Sequence, residues 1–458
     1  MDDIRFPQKT TSKTISLLSQ IPFPVAASVE AINQKDGTKF INAFSQKVIM
    51  VDEGKQHNGQ DKLAEWFEEA LVSHGASVDV KKASVSDKCV VLDVMMDGDF
   101  VASHNITEPF QLYFAFVLEN NFVTSMLITD WDSFQPSMKA VWANRANFED
   151  PVSSVRISPR PQQIPPPGWV KVKMQAVGLN YHAVFNARGL GMHSLKFPHI
   201  LGGEGAGVLE DGTEVLLYPA MGDSDFEGDE TVDPKRNIFS EQTNGTLAEY
   251  VIAPHRNVVH SPRELSAVDA SVLGVTWLTA YRMLFTKSGL RAGQTMLVQG
   301  SSGGVTTALI QLGAAAGMRV WCTGRSPEKR ELGLRLGAEK AYTSGEQIPE
   351  KAAAVFDTSG EVTWSHSMAS VKPGGTVVTC GVHSGRIVPT ELMSIMIQEL
   401  NIKGSHLGTF QEFRDLIHFV VARGIKPHIG LVLSMEKADV GFRNMIDGKT
   451  EGEIVITV

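Results

Sequence analysis

Cysteine is nearly absent from this chain, which contains only three among its 458 residues. Cys89, Cys322 and Cys380 lie far apart, and none belongs to a Cys-x-x-Cys pair. A disulfide framework and a cysteine-rich zinc site both need several cysteines at suitable spacing, so the sequence supports neither. Such sparing use of cysteine is typical of a protein from a reducing compartment.

Long apolar runs and excess positive charge are also missing. The chain starts Met-Asp-Asp-Ile-Arg-Phe-Pro, without a basic segment followed by an apolar one, and no apolar stretch is long enough to span a bilayer. We therefore expect a cytoplasmic protein with no membrane partner. The formal net charge of −9 argues against general binding to nucleic acid or anionic lipid, so the expected ligand is a small molecule.

What the sequence does contain is material for several folded domains. The hydrophobic content of 43% and the charged content of 20% are ordinary for globular proteins. The length is sufficient for about three domains.

The most informative segment runs from residue 295 to residue 329. It has the pattern of a strand, a glycine turn, a helix, a second strand and a basic turn. Glycine allows a phosphate to approach the backbone, and a helix N-terminus offers unpaired N–H groups and a positive dipole end to an anion. The pattern predicts a dinucleotide site, whose pyrophosphate would contact Gly300, Ser302, Gly303, Gly304, Val305 and Thr306.

The end of the second strand indicates which dinucleotide is bound. An acid there would bind the ribose of NAD and repel a 2′-phosphate, but the sequence has none. Hydroxyl and cationic groups stand in its place and favour NADPH as the cofactor. They are Thr323, Arg325, Ser326 and Lys329. Arg325 and Lys329 could instead be solvated charges in the first turn of a helix.

The same turn also fits a second motif. Gly300-x-Ser302-x-Gly304 matches the nucleophile elbow of hydrolases, and Asp357 and His383 follow in the order of hydrolase catalytic residues. A short glycine motif cannot decide between the two interpretations by itself.

The pattern along the chain predicts a boundary at the polar turn near residues 135–137, with residues 1–136 as a first domain. There we expect helical structure over Val25 to Phe44, a second helix over Gln60 to His74, and then a series of strands. This order of elements predicts an α+β fold with a curved sheet.

Two further domains are predicted after that boundary. Residues 137–268 and 391–458 have β-rich or mixed patterns, whereas residues 269–390 alternate strand and helix around a parallel sheet. The turn 372–375 is expected to end a helix, and the chain is expected to end in a strand from Glu453 to Val458.

From Met138 to Val458 the chain resembles the medium-chain dehydrogenase/reductase family, in its zinc-free quinone-oxidoreductase and enoyl-reductase branch. The matching motifs also recur in the family's order, which the hydrolase interpretation leaves unexplained. They are residues 176–181, 202–208, 245–250, 278–281, 303–305, 336–338, 356–357, 372–375 and 404–409. The resemblance implies a GroES-like domain made of 137–268 and 391–458 and a Rossmann domain made of 269–390.

The resemblance also implies that no metal is bound. The family's catalytic zinc needs a cysteine and a histidine where this chain has Asn180 and Gly203, and neither can replace those ligands. Without a Lewis acid to polarise an alcohol, hydride donation to an activated alkene or quinone is the easier reaction. An NADP-dependent alcohol or ketone oxidoreductase is the alternative within the same family.

Further site residues are implied by the same family. Asn180 and Tyr181 would lie at the nicotinamide end, and water, Tyr181 or His182 would deliver a proton. The segments that close around the ring would contribute Cys380, Gly381, Leu407 and Gly408. The chain departs from the family at Ala183, where an aspartate is common, and at Thr306, where the turn commonly has glycine. Asn180 could also be a simple turn residue.

Residues from about 21 to 134 resemble the NTF2-like, SnoaL-type fold, in which helices and a curved sheet form a cone. This superfamily includes isomerases, dehydratases and cyclases, as well as members without catalytic activity, so fold alone cannot assign a role. Asp130 and His104 are the candidate catalytic residues of this domain, with Asp52, His57 and Tyr113 as further polar candidates. A dimerisation module or a substrate lid is the alternative.

These inferences combine into one expected function. The chain is expected to be a zinc-independent, NADPH-dependent reductase of a conjugated enone, enoyl or quinone substrate, fused to an auxiliary, isomerase or cyclase domain. A homodimer is the expected assembly, because both folds commonly self-associate. The alternative from another class is a scaffold without redox activity, or a chain in which only the NTF2-like domain reacts.

Overall fold

The computed structural model of this protein describes residues 20–52, 55–86, 88–98, 110–129, 137–223 and 225–458. The chain divides into two compact units, Met1–Pro136 and Ser137–Val458, and each is considered by itself. Within the described ranges, no helix combines the length and the apolar character needed to cross a bilayer.

The described residues of the first unit form three helices and six strands. They are α1 (Phe23–Gln34), α2 (Gly37–Ile41), β1 (Phe44–Asp52), β2 (Lys55–Asn58), α3 (Gly59–Trp66), β3 (Ser77–Val85), β4 (Cys89–Asp97), β5 (Phe110–Glu119) and β6 (Phe122–Thr129). Residues Phe67–Val72 continue α3 with π-helical geometry.

The six strands form one sheet in the order β2-β1-β6-β5-β4-β3. Strand β1 is parallel to β6, and the other neighbours are antiparallel. Alternation along β4 explains how one face of the sheet is buried, because every second side chain points the same way. The buried ones are Val90, Leu92, Val94 and Met96. This face shares a core with helix residues such as Phe40 and Phe67, whose rings stack at 4.4 Å.

The prediction of helical structure from Val25 to Phe44 was wrong in two places. Lys35 has a left-handed backbone with φ of 57° and ends α1, and the Asp36 carboxylate then caps α2 by accepting from the N–H of Lys39. Phe44 already belongs to β1. The Lys-Asp-Gly sequence is a turn signal that hydrophobic spacing alone did not register.

The second unit begins with strands of a β-rich domain. They and the helices among them are β7 (Ser137–Ala143), β8 (Val155–Pro161), β9 (Trp169–Leu179), α4 (Tyr181–Ala187), β10 (His199–Ile200), β11 (Ala206–Val208), β12 (Glu214–Leu217), β13 (Ala220–Met221), β14 (Asn237–Ile238), β15 (Tyr250–Pro254), β16 (Val258–His260) and α5 (Ala267–Ala270).

A helical stretch of mixed π and α geometry follows, made of Leu273–Trp277, α6 (Leu278–Tyr281) and Arg282–Lys287. The remaining elements are β17 (Thr295–Val298), α7 (Gly304–Ala315), β18 (Arg319–Gly324), α8 (Pro327–Arg335), β19 (Lys340–Thr343), β20 (Ala352–Asp357), α9 (Glu361–Ser370), β21 (Val371–Thr379), α10 (Leu392–Gln398), β22 (Asn401–Gly404), α11 (Phe410–Arg423), β23 (Ile429–Ser434), α12 (Ala438–Ile446) and β24 (Glu453–Thr457).

The β-rich domain is organised around β9, which pairs with three strands of its sheet. The sheet has the order β16-β12-β11-β9-β24-β23, and β15 also pairs with β9. The carboxyl-terminal strand β24 is antiparallel to β9 and parallel to β23. The carboxyl-terminal strand β24 therefore belongs to the sheet of the β-rich domain, and Glu453 is its first residue.

The other sheet is parallel throughout, with the order β19-β18-β17-β20-β21-β22. All four residues of its central strand β17 are buried, as expected for a strand covered by helices on both faces. This α/β domain and the β-rich domain are the two folds expected from the sequence.

Two details of the α/β domain differ from the predictions. Strand β22 pairs with β21, so residues up to at least 404 belong to the parallel sheet, and the predicted boundary at 390 was too early. Residues 372–375 do not end a helix, because α9 ends at Ser370 and the four residues bulge from β21 between its pairs with Ala352 and Ala354. Both details depend on strand pairing between distant segments.

Candidate cofactor and substrate cleft

A cleft of about 780 Å³ in the second unit brings together most of the residues that the sequence predicted for cofactor and catalysis. These residues come from five separate segments of the chain. They are Asn180, Tyr181, His182, Gly300, Ser302, Gly303, Gly304, Val305, Thr306, Thr323, Arg325, Lys329, Cys380, Gly381 and Leu407. His406, Glu453 and several apolar residues also line it.

One end of the cleft is formed by the glycine turn between β17 and α7. Gly300 has a φ of 99°, which only glycine adopts without strain, and its N–H donates to the Thr323 hydroxyl at 2.9 Å. Helix α7 begins at Gly304, and the N–H groups of its first turn have no partner within the helix. These N–H groups and the helix dipole fit the pyrophosphate of a dinucleotide.

Two threonines stabilise this turn from within. The Thr306 hydroxyl accepts from the N–H of Gly303 at 2.9 Å, so threonine in place of the family's glycine adds an anchor to the turn. The single hydroxyl hydrogen of Thr323 points to Gln299 Oε1 at 3.2 Å. Thr323 therefore positions Gly300 and has no hydrogen left for a 2′-phosphate, which corrects the role predicted for it.

Two cations, Arg325 and Lys329, line the cleft after β18. Lys329 donates from Nζ to the Gly448 carbonyl at 3.0 Å, and a β-carbon on Gly448 would be 3.1 Å from Arg325 Nη2. Partial burial, followed by the charge of Arg325, lowers the pKa of Lys329. The adjacent charges repel each other, and an anionic phosphate would relieve that repulsion.

Ser326 does not line the cleft. Its hydroxyl instead caps α8 by accepting from the N–H of Lys329 at 3.4 Å, so the predicted contact with a phosphate is not supported. At this end of the cleft, Arg325 has a planar guanidinium that is suited to binding a phosphate.

Asn180 forms the centre of the opposite end. It precedes α4, is 5% exposed, and donates from Nδ2 to Glu204 Oε1 at 2.9 Å. Glu204 is buried and also accepts from the N–H of Val275. Burial raises the pKa of Glu204 to about 7, although its hydrogen bonds oppose the shift. The sequence motif contained Glu204, but its role as the partner of Asn180 was not predicted.

His182 belongs to a second hydrogen-bonded pair at this end. Its Nε2 lies 2.9 Å from Oε1 of Glu241, whose side chain is 1% exposed. Burial opposes ionisation of Glu241, but the hydrogen bond and charge of His182 outweigh it and lower the pKa of the carboxyl. Since an ionised carboxylate only accepts hydrogen bonds, it holds a hydrogen on Nε2.

Gly203 lines the cleft beside both pairs. A β-carbon there would be 3.5 Å from His182 Nδ1 and 4.0 Å from Asn180 Oδ1. Both atoms are buried and neither has a hydrogen-bond partner in the part of the chain that the structure describes. Buried polar atoms without partners are costly, so this space is suited to a polar ligand group.

Aromatic and apolar groups complete this end. The ring of Tyr181 packs edge-on against His383, with 4.3 Å between ring centroids. Burial raises the pKa of Cys380 to about 12, which keeps it a neutral thiol. Gly408 does not line the cleft as predicted, because its carbonyl accepts from the Tyr218 hydroxyl at 2.9 Å and its Cα packs on Leu278.

The geometry does not support the hydrolase interpretation. The Asp357 carboxylate accepts from the N–H groups of Ser359 and Gly360 and from two hydroxyl groups, which fixes the turn after β20. His383 Nδ1 bonds to the Thr358 carbonyl instead of an acid. Neither contact connects an acid and a base to Ser302, as a catalytic triad requires.

Two of the predicted catalytic residues of the first unit, His104 and Asp130, lie outside the described residues. Asp52 accepts from the indole N–H of Trp66 at 2.9 Å, and the hydroxyl of Tyr113 accepts from Gln111. The first contact joins β1 to α3, and the second lies within β5. Among the residues that the structure describes throughout the chain, no group of three or more His, Cys, Asp or Glu side chains could hold a metal ion.

Two family models match the second unit. Residues 166–263 match the alcohol dehydrogenase GroES-like domain, and residues 304–422 match the zinc-binding dehydrogenase domain. This combination defines an oxidoreductase with a GroES-like domain and a Rossmann-type α/β domain. In both domains the second unit is similar to the medium-chain dehydrogenase/reductase family.

Curated relatives of this family align over about two thirds of the chain. A zinc-type alcohol dehydrogenase-like protein of Schizosaccharomyces pombe is 26% identical, over 66% of this chain and 95% of its own length. Crotonyl-CoA reductase of Streptomyces avermitilis is 25% identical, over 66% of this chain and 82% of its own. Quinone oxidoreductase of Mus musculus is 27% identical, over 62% of this chain and 87% of its own length.

Solved structures show the same fold. An NAD-dependent alcohol dehydrogenase superposes with a TM-score of 0.66 at 28% identity, over 70% of this chain and all of its own. A crotonyl-CoA carboxylase/reductase in complex with NADP superposes with a TM-score of 0.64 at 22% identity, over 70% of this chain and 95% of its own. The relatives thus include alcohol dehydrogenases as well as reductases of enoyl thioesters and quinones.

Proposed function

We propose that this protein is a zinc-independent, NADPH-dependent reductase of a conjugated enone, enoyl or quinone substrate. The observation that carries this proposal is a single cleft with an anion site at one end and two unpartnered polar atoms at the other. The anion site is built from the glycine turn and Arg325, and the polar atoms belong to Asn180 and His182. The crotonyl-CoA and quinone reductases among the relatives support this choice of reaction.

NADPH fits the cleft through residues already described. The first turn of α7 would hold the pyrophosphate, and Arg325 would bind the 2′-phosphate with its planar guanidinium. The bound cofactor would supply a hydride to the β-carbon of the substrate. Lys329, already bonded to Gly448, would add positive charge without a dedicated hydrogen bond.

His182 is the proposed source of the proton. The Glu241 carboxylate fixes the ring by its contact with Nε2, and a hydrogen carried on Nδ1 of the doubly protonated ring would point toward Gly203 in the cleft. After hydride addition, that hydrogen would pass to the α-carbon or the developing enolate oxygen. One hydride and one proton then saturate the double bond, and solvent restores the proton of His182.

Asn180 is proposed to orient the substrate. Its Nδ2 donates one hydrogen to Glu204, and this hydrogen bond directs Oδ1 toward the space beside Gly203. Oδ1 can accept a hydrogen bond from an amide or hydroxyl group in that space. Glu204 would thus act through Asn180 as a positioning residue.

The reaction class is tested by following NADPH oxidation with substrates that share a carbon skeleton. A conjugated enoyl thioester and a quinone are expected to be reduced, whereas the matching saturated ketone is not. Turnover of saturated ketones or alcohols with no reduction of conjugated substrates would establish the alternative, an NADP-dependent alcohol or ketone oxidoreductase. The alcohol dehydrogenases among the relatives are the reason to include it.

The first unit is proposed to be an NTF2-like domain with an auxiliary role. The support is its six-stranded sheet, which shares one core with three helices. The full-length chain is expected to leave candidate substrates unchanged when NADPH is omitted. Isomerisation or cyclisation under those conditions, lost in His104→Ala or Asp130→Asn, would assign catalysis to this unit instead.

A homodimer formed through the α/β domain is proposed as the assembly. Four apolar side chains of α10, Leu392, Met393, Met396 and Ile397, are between 61% and 77% exposed. The neighbouring strand β22 is the last strand of its sheet and is exposed along its length. Sedimentation is expected to show a dimer that Met396→Glu converts to a monomer and Gln398→Glu leaves intact. A monomeric wild type would contradict this assembly.

A further inference from the structure

A buried carboxyl group, that of Glu453, lies against the glycine turn. The residue is 2% exposed, and it lines both the main cleft and a smaller cavity of about 220 Å³. A β-carbon on Gly304 would be 2.5 Å from Glu453 Oε2 and 2.7 Å from Oε1. The N–H of the adjacent Gly452 also donates to the Ser302 carbonyl, which fixes the start of β24 to the turn.

Glu453 shares its surroundings with a second buried carboxyl, that of Glu204. Both carboxyls lie within hydrogen-bond reach of Thr276, but its single hydroxyl hydrogen is directed to the Val272 carbonyl at 3.0 Å, which leaves none for either carboxyl. Glu204 has other donors, namely Asn180 Nδ2 and the N–H of Val275. Oε1 of Glu453 has no partner in the described part of the chain.

This arrangement determines which carboxyl keeps a proton. Burial, followed by the charge of Glu204, raises the pKa of Glu453 well above its ordinary range. Two carboxylates buried side by side do not both ionise, and the one with fewer donors keeps the hydrogen. Glu453 is therefore the neutral member of the pair.

No ion pair holds Glu453 in its ionised form. Within the described ranges, no lysine, arginine or histidine lies within ion-pair distance of its carboxyl. The backbone carbonyl of His428 accepts from the N–H of Glu453. Lys449 and Glu451 share the smaller cavity, and the positive end of α7 faces the carboxyl at Gly304.

We propose that Glu453 is a cofactor-binding residue that carries a proton and donates it in a hydrogen bond to a phosphate oxygen of the bound dinucleotide. The inference rests on the proposed function, because it needs the pyrophosphate at the first turn of α7. An ionised Glu453 would repel that anion in a site of low dielectric. The neutral acid instead supplies a charge-assisted hydrogen bond, and its unpartnered oxygen gains a partner.

Calorimetric titration of the full-length chain with NADP⁺ tests this assignment in Glu453→Gln, Glu453→Leu and the surface control Glu264→Gln. Glutamine keeps a neutral donor, so its dissociation constant is expected within about threefold of wild type. Leucine lacks the donor, and a loss of about ten- to a hundredfold is expected for one hydrogen bond to a charged group. The control is expected to behave as wild type.

The pH dependence gives a second criterion. Affinity of the wild type is expected to fall as pH rises through the ionisation of Glu453, by up to about tenfold per pH unit. Glu453→Gln is expected to lack this fall. Ionisation of the ligand's own phosphate affects all variants equally and cancels in the comparison.

Several outcomes would overturn the inference. Wild-type affinity in Glu453→Leu would show that the side chain does not contact the cofactor, and binding at least tenfold tighter in Glu453→Gln would show that Glu453 is ionised. A wild type that binds NADP⁺ under none of these conditions would overturn the proposed function itself.

An infrared measurement on the wild type does not depend on the folding of any variant. The protonated carboxyl of Glu453 is expected to show a C=O stretch at pH 8 that shifts when NADP⁺ is added. An absent band, or a band that NADP⁺ does not move, would overturn the inference.

Discussion

The two ends of the cleft are built in different ways. The pyrophosphate end consists mainly of backbone from one continuous segment, the turn 300–304 and the start of α7. The opposite end consists of side chains from three separate segments, in which Asn180 meets Glu204 and His182 meets Glu241. A local segment can be recognised by spacing, whereas pairs formed by tertiary folding cannot.

The ends also differ in how their charge is controlled. The proposed pyrophosphate end would attract anions with a helix dipole and with the guanidinium of Arg325. The opposite end holds its carboxyls in buried hydrogen-bonded pairs, so their protonation depends on the fold. We therefore expect pH and single substitutions to affect the two ends of the cleft differently.

The largest expected effect is a pH-dependent change of stability at Glu204. Its pKa rises from 4.5 to about 7 in the folded protein, so the unfolded chain ionises first and folding stability falls as pH rises between these values. Glu204→Gln removes that loss. The unfolding free energy of Glu204→Gln minus that of wild type is expected to increase by about 3 kcal/mol as the pH rises from 4.5 to 8.

Denaturant unfolding at pH 5 and pH 8 measures this difference, with Glu264→Gln as the exposed control. The control is expected to show the same difference from wild type at both values. Equal behaviour of Glu204→Gln at both pH values would mean that this carboxyl is ionised throughout, and the contrast between the ends would be lost.

The next effect is on catalysis through Glu241. Glu241→Gln removes the carboxylate that holds the His182 ring through Nε2, and kcat is expected to fall about a hundredfold, the range for loss of general acid catalysis. The dissociation constant of NADPH is expected to stay within about threefold of wild type. Steady-state rates and fluorescence titration together measure this separation.

A double-variant comparison distinguishes this positioning role from a general structural defect. If Glu241 acts only through His182, the double variant His182→Asn/Glu241→Gln is expected to have about the same kcat as His182→Asn alone. Losses of kcat that add in the double variant would argue against His182 as the proton source.

The smallest effect is expected at the turn itself. Thr306→Val removes the hydroxyl that accepts from the N–H of Gly303, and a loss of NADPH affinity of about three- to tenfold is expected for one neutral hydrogen bond. The kcat value is expected to change little. Thr307→Val, which removes a bond to the Gly304 carbonyl inside α7, is the matched control.

Sequence reasoning was most successful where structure is local. The strand, turn and helix from residue 295 onward follow from glycine positions and apolar spacing, and they meet in the cleft as expected. The break at Lys35 was missed, although Asp36-Gly37 is a turn signal that sequence reasoning could have used.

Tertiary pairing explains what could not be predicted. Glu241 is one acid among many in the sequence, and only its burial beside His182 distinguishes it. Strand β22 belongs to the parallel sheet because it meets β21, a pairing that spacing did not indicate. The sequence contained a weak indication of the role of Glu204, because an acid is unusual within a buried glycine-rich segment such as 202–208.

The central claim is that one cleft joins an NADPH-specific phosphate site to a separate reacting end. It is tested most directly by the dissociation constants of NADPH and NADH for wild type, Arg325→Glu and the exposed control Arg335→Glu. We predict that wild type and control prefer NADPH, and that Arg325→Glu loses about a hundredfold for NADPH while NADH changes less than threefold. Equal affinity of wild type for both cofactors, or unchanged NADPH binding in Arg325→Glu, would contradict the account.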